Sequence, residues 1–427
     1  MEIPFALHVY FRCGSMQGAF IMRKQMSTLL TKLSDPAVWE RFYQYRCSLI
    51  SQSGFPKELR AFIDREGWKT VTDRIAAGEP FPLPKKSVIS KMSTGKQRTV
   101  YTYPPDENTV LKLLTYLMLR QYDSLFSPNL YSFRPHKNAK DAILFFTHIR
   151  GLREMYAYKA DISDYFNSVP AERLLPELEA VMQDDPQLFA FLRSLLTEPN
   201  VLDGGTVHAE RKGIMAGTPV ACIYANLYLR ALDAKFYAAG VPYARYSDDV
   251  ILFAETEQQC RQYAAELREY LRERGLTLNP KKEHFYRPHE PWVFLGFCVK
   301  DGQIDIAPAS VTKLCRKMRR KARGLRRWAE RRGVPGEKAA AAFIRIFNAK
   351  LLESPGENRD LTWSCWFFPV ITTAESLRRV DRYAQDCIRY IISGKRTKAR
   401  YNVRYADMKQ LGYRSLVHEY FAGGEPA

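Results

Sequence analysis

The sequence offers little from which to build thiol or imidazole sites. Its eight cysteines include no Cys-x-x-Cys pair, and none stands at zinc-ligand spacing from a histidine. The seven histidines are scattered along the chain and form no His-Asn-His cluster. These absences argue against a zinc site or an endonuclease of that type. They favour reduced, buried thiols in a cytosolic protein.

Long hydrophobic runs are absent as well. No stretch is long enough to cross a bilayer, so we expect no membrane partner. Residues 1–20 are mildly apolar, but they lack a basic leading region and Arg12 interrupts them, which argues against a signal peptide. Signatures of proteases, kinases, nitrilases and RNase H are missing too. We therefore expect a cytoplasmic protein.

What the chain has in excess is positive charge. Its 427 residues include 65 Lys and Arg against 46 Asp and Glu, which gives a formal net charge of +19. Such an excess favours a polyanionic partner. The hydrophobic fraction of 46% supports well-formed cores, and the length predicts two or three compact modules.

The order of predicted elements indicates an α+β core followed by an all-helical module. Helical patterns fill residues 27–80, and a proline-rich stretch at 80–84 ends them. We expect a helical extension at 1–84, a core at 85–308 and a basic helical module at 309–427. The elements predicted in and after the core are a hairpin at 86–103 with its turn at 93–96, a strand at 155–161, a hairpin around Asp203-Gly204-Gly205, one long helix from Thr218 to Gly240, antiparallel segments at 292–299 and 303–306, and helices from Ser310 onward.

Two adjacent carboxylates are the strongest chemical signal. Asp248 and Asp249 stand between the strand-like segments 242–245 and 250–253, which predicts a tight hairpin with both at its tip. Like charges there repel each other, and a divalent cation would offset the repulsion. Because the available ligands are oxygens, Mg²⁺ fits better than zinc. This combination points to phosphoryl transfer on nucleotides.

A second acidic segment ends a predicted strand. Asp161 closes the strand at 155–161, and it would meet Asp248 and Asp249 if that strand and the hairpin are neighbours in one sheet. Three converging carboxylates could hold two Mg²⁺ ions, with Mn²⁺ as a substitute, for two-metal nucleotidyl transfer. Taken alone, Asp161 could equally serve as a cap or a turn residue.

Further motifs occur in a fixed order around these carboxylates. They are Thr94-Gly95-Lys96-Gln97-Arg98, Ser132-Phe133-Arg134-Pro135, the segment 161–166, the loop 213–219, Tyr246-Ser247-Asp248-Asp249, Lys282 and Phe294-Leu295-Gly296-Phe297. Singly these signals are of uneven strength, but their order and spacing together are specific. Over residues 85–300 the chain resembles prokaryotic reverse transcriptases of the branch that includes group II intron proteins and retrons. The resemblance implies a right-hand polymerase, with fingers, a palm built on an antiparallel sheet, and an α-helical thumb.

The resemblance also implies roles for particular residues. The metal ligands it implies are Asp161, Asp248 and Asp249, with the carbonyl of Ile162 as an auxiliary ligand. The nucleotide-binding residues it implies are Lys96, Arg98 and Lys282 at the triphosphate, Phe166 as the aromatic gate against a ribose 2′-hydroxyl, and Gly217 beneath the nucleotide. One position departs from the pattern, because Ala216 stands where most relatives have glutamine. Gly217 still permits close backbone approach there.

The C-terminal module carries a dense run of cations. Residues 316–328 have the pattern of a helix with charges on several faces, and residues 394–401 interleave cations with an aromatic ring. The first segment is either a solvated helix or, as we expect, a thumb helix that lies along a nucleic-acid backbone. The second suits an RNA-binding loop. The nucleic-acid-binding residues predicted in the two segments are Arg316, Lys317, Arg320, Arg323, Arg327, Lys395, Arg396, Lys398 and Arg400.

The C-terminal residues indicate which class of reverse transcriptases the chain resembles most. Residues 405–416, with no endonuclease signature after them, are similar to the class 2 defence-associated reverse transcriptases. These are bacterial antiphage enzymes that work with a neighbouring structured non-coding RNA. The resemblance implies such an RNA as template and scaffold, dNTPs as substrates and cDNA as product. Two alternatives stay open: a group II intron-type mobility or maturase enzyme, and a non-catalytic RNA-binding protein with a polymerase fold.

Overall fold

A computed structural model describes residues 29–48, 55–90, 97–210, 213–352, 362–395 and 397–423. The predicted turn at 93–96, with Lys96, and the cation Arg396 lie outside these residues. The strands are β1 (Lys85–Ser90), β2 (Gln97–Thr102), β3 (Tyr156–Asp161), β4 (Asn200–Asp203), β5 (Thr206–Ala209), β6 (Tyr243–Tyr246), β7 (Asp249–Ala254), β8 (His284–Tyr286), β9 (Trp292–Phe294), β10 (Phe297–Lys300) and β11 (Gln303–Ile306). The helices are α1 (Leu29–Leu33), α2 (Pro36–Ser48), α3 (Phe55–Asp64), α4 (Trp68–Ala76), α5 (Pro105–Gln121), α6 (Ala139–Thr147), α7 (Tyr165–Ser168), α8 (Ala171–Val181), α9 (Pro186–Thr197), α10 (Ala221–Tyr228), α11 (Arg230–Ala238), α12 (Glu257–Glu273), α13 (Pro308–Arg332), α14 (Gly336–Leu351), α15 (Trp363–Phe367), α16 (Glu375–Ser393), α17 (Tyr405–Gln410) and α18 (Leu416–Ala422).

The N-terminal helices α1, α2 and α4 pack on α5, and α3 packs on α2. At their centre the Trp39 ring lies 5.4 Å from the ring of Phe62 and 6.4 Å from the ring of Trp68. Trp39 is fully buried, and its indole N–H donates to the Leu33 carbonyl at 2.8 Å. Burial of these large rings joins the helical start of the chain to the core behind it.

The strands of the first sheet lie in the order β2-β1-β4-β5. β1 and β2 pair antiparallel, with Lys85 opposite Thr102, which confirms the predicted hairpin. The β4–β5 hairpin turns at Gly204 and Gly205, both at positive φ, and this confirms the second predicted hairpin.

The central sheet has the order β6-β7-β3-β8, with antiparallel neighbours throughout. It lies between two hydrophobic cores, and successive residues of β7 alternate between them. Val250 and Leu252 join one core, whereas Ile251 and Phe253 join the other. A strand covered on both faces needs an apolar residue at every position, which explains the uninterrupted run at 250–253.

The third sheet, β9 to β11, leads directly into the helical end of the chain. There α13 packs along α16 and α14. Leu314, Met318 and Ala322 form the buried face of α13. Helix α13 is long, but it is strongly charged. Among the described residues, no helix is both long enough and apolar enough to cross a membrane.

The single helix predicted from Thr218 to Gly240 is wrong. The chain forms α10 and α11, separated at Leu229, whose φ of −111° and ψ of 12° are not helical. Two carbonyls near this break are taken by arginines from distant segments. Arg245 donates to the Asn226 carbonyl at 3.4 Å, and Arg274 donates to the Tyr228 carbonyl at 2.8 Å. Tertiary hydrogen bonds thus replace part of the helical ladder.

The continuous segment predicted at 292–299 is also wrong. Leu295 and Gly296 form a tight turn, with φ of 49° and 89°, and Phe294 pairs with Phe297 across it. A two-residue hairpin of type I′ has positive φ at both central positions. Leucine rarely adopts that conformation, so a turn at Leu295 was not predicted. The following helix starts at Pro308, two residues earlier than predicted, because proline is suited to the first helical turn.

Candidate active site

The acidic hairpin is the centre of the site. β6 and β7 pair as far as Tyr246 opposite Asp249, which leaves Ser247 and Asp248 as the two turn residues. Ser247 has φ of 59°, the left-handed conformation that such turns use. Asp248 is therefore at the tip, whereas Asp249 is the first residue of β7. The prediction that both residues would occupy the tip is therefore correct for Asp248 and wrong for Asp249.

β3 brings a third carboxylate to the same end of the sheet. Asp161, its last residue, stands directly opposite Asp249 on β7. Just beyond it, the Ile162 N–H donates to the Asp248 carbonyl at 2.9 Å. Opposite residues of an antiparallel pair point to the same face, so Asp161 and Asp249 share one face. The predicted neighbourhood of strand and hairpin is confirmed.

These carboxylates lie where solvation is poor. Asp161 is only 3% exposed. Burial raises the pKa of the Asp249 carboxyl to about 6, with a further rise from Asp248 and Asp161 and an opposing effect of Lys159 and Lys282. Burial also raises the pKa of the Asp248 carboxyl, and repulsion from Asp161 adds to the rise. Ionising this cluster without a counter-charge therefore costs free energy.

Lys282 supplies part of the counter-charge. Its ammonium group forms an ion pair with the carboxylate of Asp161. The side chain of Lys282 is 49% exposed, so it has room to move. The resemblance implied a contact with the triphosphate, and in this structure the contact is with a carboxylate instead. A role at the triphosphate requires the ammonium group to share its donors between Asp161 and a phosphate or to move away from Asp161.

The donor set fits a hard divalent cation. The three carboxylates and the implied Ile162 carbonyl offer only oxygen atoms, which Mg²⁺ and Mn²⁺ prefer. A cation would also relieve the repulsion that raises the pKa of Asp248 and Asp249. As they stand, no three His, Cys, Asp or Glu side chains of the described residues are close enough to enclose an ion. One of the three carboxylates, that of Asp161, is paired with Lys282.

Phe166 lies in α7, five residues after Asp161. Its ring meets that of Phe133 edge to face, with 6.1 Å between centroids and 89° between planes. Its carbonyl accepts a hydrogen bond from the Ile214 N–H at 2.9 Å. Gly213 lies against the same backbone with φ of 54°, and a Cβ there would be 2.5 Å from the Phe166 oxygen. The loop 213–219 therefore fixes the position of the predicted gate, and only glycine fits at its first residue.

Gly213→Ala is expected to lower the free energy of unfolding by about 1–3 kcal/mol and to displace Phe166, because backbone rather than a flexible side chain blocks the new methyl group. Urea denaturation measures the loss. Gly204→Ala is the matched control, since Gly204 has φ of 59° but no atom within 4 Å of its added Cβ. Equal losses in the two variants would contradict a tight contact between Gly213 and Phe166.

The remaining nucleotide-binding candidates lie on or beside β2. The Tyr101 N–H donates to the Ala216 carbonyl at 2.8 Å, and a Cβ on Gly217 would be 3.0 Å from the Tyr101 oxygen. The loop therefore approaches β2 closely, as the glycine suggested. Arg98 is exposed on β2, and its charge opposes the rise in the pKa of Asp248, so it acts on the acidic cluster.

A buried ion pair behind the turn was missed by the sequence reasoning. Arg245 and Asp233 are both 0% exposed and form two hydrogen bonds, at 2.6 and 2.8 Å. Burial would lower the pKa of the Arg245 guanidinium, but Asp233 outweighs it and raises that pKa. Arg245 also donates to the Ser247 carbonyl at 3.3 Å, while the Ser247 N–H donates to the Ser132 hydroxyl at 2.8 Å. Arg245 and Ser132 therefore both hold the backbone of the turn that carries Asp248. The sequence feature that could have indicated this buried ion pair is the arginine directly before the Tyr-x-Asp-Asp motif.

The predicted nucleic-acid-binding cations are in varied settings. Four of them lie exposed on α13: Arg316, Lys317, Arg320 and Arg327. Arg323 is half-buried, and Lys395 is exposed beyond the end of α16. Lys398 begins a short 3-10 helix. Arg400 is engaged within the protein, 3.7 Å from the Asp386 carboxylate and 4.5 Å from the Tyr401 ring centroid.

The sequence profile of the reverse transcriptase (RNA-dependent DNA polymerase) family matches residues 83–299, just over half of the chain. The protein belongs to this family, and its α+β fold is that of a right-hand polymerase, as predicted. Among curated proteins, YkfC of Escherichia coli strain K12 is 24% identical over 263 residues, which cover 52% of this chain and 68% of YkfC.

Solved telomerase structures are similar to this chain at low identity. Apo telomerase from Candida tropicalis is 10% identical with a TM-score of 0.46, and the match covers 74% of this chain and 58% of that one. Telomerase from Candida albicans, in complex with a fragment of telomeric RNA, is 12% identical with a TM-score of 0.45, over 81% and 63% of the two chains. The protein therefore spans less than two thirds of these telomerase chains.

Proposed function

We propose that the protein is an RNA-directed DNA polymerase that makes cDNA from an associated structured non-coding RNA. The observation that carries this proposal is the meeting of Asp161, Asp248 and Asp249 at one end of the central sheet, within the part of the chain that matches the family. A protein that only binds RNA would gain nothing from three clustered carboxylates, one buried and two half-buried, beside a polyanion.

The three carboxylates and the Ile162 carbonyl would hold two Mg²⁺ ions, for which Mn²⁺ could substitute. Such ions activate the attacking 3′-hydroxyl and neutralise charge on the triphosphate. Arg98, together with Lys96, contributes positive charge at the triphosphate. Lys282, once released from Asp161, contributes a third cation there.

Phe166 would exclude the 2′-hydroxyl of a ribonucleotide. Phe166→Ala is therefore expected to reduce the preference for dNTPs over rNTPs roughly a hundredfold, because the space freed by the ring admits the hydroxyl. The ratio of kcat/KM for the two substrates measures this. Phe285→Ala, which removes a half-buried aromatic ring of β8, should leave the ratio unchanged. An unchanged ratio in Phe166→Ala would rule out the gate.

The rest of the chain would hold the nucleic acids. We propose an N-terminal helical extension at 1–84, fingers and palm at 85–308, and a thumb at 309–427. The exposed cations of α13 support the thumb assignment, because a helix with a buried apolar face and a basic outer face can follow a phosphate backbone. The predicted cations Lys395, Arg396, Lys398 and Arg400 would extend this surface to structured RNA.

The biological role we propose is antiphage defence in the bacterial cytoplasm, as in the class 2 defence-associated enzymes. It is tested by expressing the gene with its native flanking DNA and sequencing copurified RNA and DNA separately. We expect one abundant structured RNA in wild type and in an Asp248→Ala/Asp249→Ala variant, and complementary DNA in wild type alone. An intron RNA flanking the gene would favour intron mobility instead. RNA without complementary DNA in either sample would favour a binding protein.

A further inference from the structure

A cavity of about 260 Å³ opens between α13, α16 and the segment that follows α16. Ala322 and Cys387 line it where the two helices meet, and their small side chains leave space there. A cavity of about 150 Å³ is enough to hold benzene, so this one has room for a two-ring base. We call it the α13–α16 cavity. Its other wall residues are Arg319, Arg323, Tyr383, Asp386, Tyr390, Lys395 and Arg400.

Three cations of the wall have no carboxylate partner within the described part of the chain. Arg319 and Arg323 lie about one helical turn apart on α13, and Lys395 follows the end of α16. By contrast, Arg326 on the same helix as the two arginines pairs with Glu330 at 2.7 Å. Cations that the protein itself does not neutralise are available to bind the phosphate of a ligand.

The wall also contains one carboxylate, that of Asp386. Its Oδ1 atom lies 3.5 Å from Arg389 and 3.7 Å from Arg400, farther than the roughly 2.7–3.2 Å of an N–H···O hydrogen bond. No described residue donates a hydrogen bond to this side chain, which is 47% exposed and therefore within reach of a ligand. A carboxylate repels phosphate, so its place among cations indicates a ligand that also brings hydrogen-bond donors.

Tyr383 gives the wall an aromatic surface. Its ring is half-buried, and no cation or ring of the described residues lies over it. Burial raises the pKa of the Tyr383 hydroxyl and Cys387 adds to the rise, whereas Arg319 and Arg323 oppose it, so both guanidinium groups lie near the ring. Tyr383 and Asp386 are three positions apart on α16 and share one side of the helix. A base that stacks on Tyr383 can therefore turn its edge toward Asp386.

We propose that the α13–α16 cavity binds a guanine nucleotide. Guanine has two adjacent N–H donors on its Watson–Crick edge, which match the two oxygens of Asp386. Adenine, cytosine and uracil each have only one donor group on that edge. The wall cations bind the phosphate, and Tyr383 stacks on the base.

The same chemistry has two sources. The nucleotide is either an unpaired residue of the associated RNA, which rests on the proposed function, or a free mononucleotide. No wall residue lies within residues 83–299, so the family match does not account for the site.

The test is equilibrium binding of the full-length protein to labelled single-stranded RNAs of about six residues, without dNTPs or divalent cations. One RNA is oligouridylate with a single central guanosine, and the others have adenosine, cytidine or inosine at that position. Wild type should bind the guanosine RNA about tenfold more tightly than the adenosine or cytidine RNA. The inosine RNA should fall between them, because inosine keeps the ring N–H but lacks the 2-amino group.

Three variants separate recognition of the base from attraction of charge. Asp386→Asn keeps the size of the side chain but sets an amide donor against one donor of guanine, so the preference for guanosine should fall to about twofold or less. Arg319→Gln/Arg323→Gln should weaken binding of every RNA and keep the preference. Glu337→Gln removes an exposed carboxylate at the start of α14, and as the matched control it should change neither quantity.

Equal binding of all the RNAs by wild type, or a guanosine preference that survives Asp386→Asn, would overturn the proposal. Competition with GMP identifies the source of the nucleotide. Displacement of the guanosine RNA by GMP at a similar concentration assigns the cavity to a free mononucleotide. Displacement only at a concentration about a hundredfold higher, or none at all, assigns it to a residue of an RNA strand, whose other contacts add to the affinity.

The two proposals fail separately, because this binding assay needs no DNA synthesis. A guanosine preference that Asp386→Asn removes would support the cavity even if wild type copies no RNA. Synthesis of cDNA by wild type that shows no guanosine preference would remove the cavity and leave the polymerase.

Discussion

Replacing Asp248 with asparagine is expected to lower the rate of nucleotide addition by about a thousandfold or more, because each carboxylate of the cluster contributes several kcal/mol of charge stabilisation. The turn should survive, since asparagine suits this position and the Ile162 N–H bonds the Asp248 carbonyl, not its side chain. Single-turnover incorporation of one dNTP on a primed RNA measures the rate. The variant should still bind RNA as wild type does.

A matched control separates loss of the cluster from loss of charge in general. Asp301→Asn changes an exposed carboxylate in the β10–β11 turn, where φ of 48° is a conformation that asparagine tolerates. It should leave the rate within about twofold of wild type, as is usual for surface substitutions. A rate near that of wild type in Asp248→Asn would remove the acidic cluster from the mechanism.

Arg245→Met is expected to lower the free energy of unfolding by about 3–5 kcal/mol, because it leaves the buried Asp233 carboxylate with the Tyr243 hydroxyl as a donor but without a counter-charge. The loss should appear in urea denaturation and in a lower rate of nucleotide addition, since Arg245 also holds the carbonyl of Ser247. A variant that unfolds more readily but keeps the full rate once folded would show that the pair serves stability alone.

Two comparisons test the origin of that loss. Arg245→Met/Asp233→Leu removes both charges and should recover much of the stability, because no ion is then left unpaired. Arg261→Met breaks an exposed pair with Glu257 on α12 and should cost about 0.5 kcal/mol or less. If the double variant were as unstable as Arg245→Met, packing rather than charge would explain the effect.

The patterns that encode local geometry were readable from the sequence. Alternating apolar residues, glycines at turns and two adjacent carboxylates predicted the β4–β5 hairpin and the meeting of β3 with the acidic hairpin. Those features follow from the period of a strand and from the conformational limits of turn residues. The order of the motifs then supplied the right-hand fold.

The features that were not predicted depend on distant contacts. The break at Leu229 arises where Arg245 and Arg274 bind helix carbonyls. The burial of Asp233 with Arg245 depends on how α11 packs against the central sheet. The ion pair of Lys282 with Asp161 joins residues 121 positions apart. No local pattern encodes such pairings, so the sequence pointed to Asp161 and Lys282 without pairing them and did not point to Asp233 and Arg245 at all.

We propose that the protein copies RNA into DNA at the acidic end of the central sheet. The most direct measurement is extension of a primer on a defined RNA of mixed sequence by purified protein, with all four dNTPs and Mg²⁺, followed by sequencing of the products. Wild type should make DNA complementary to the template, and Asp248→Asn should make none. Products unrelated to the template, or equal synthesis by the variant, would contradict it.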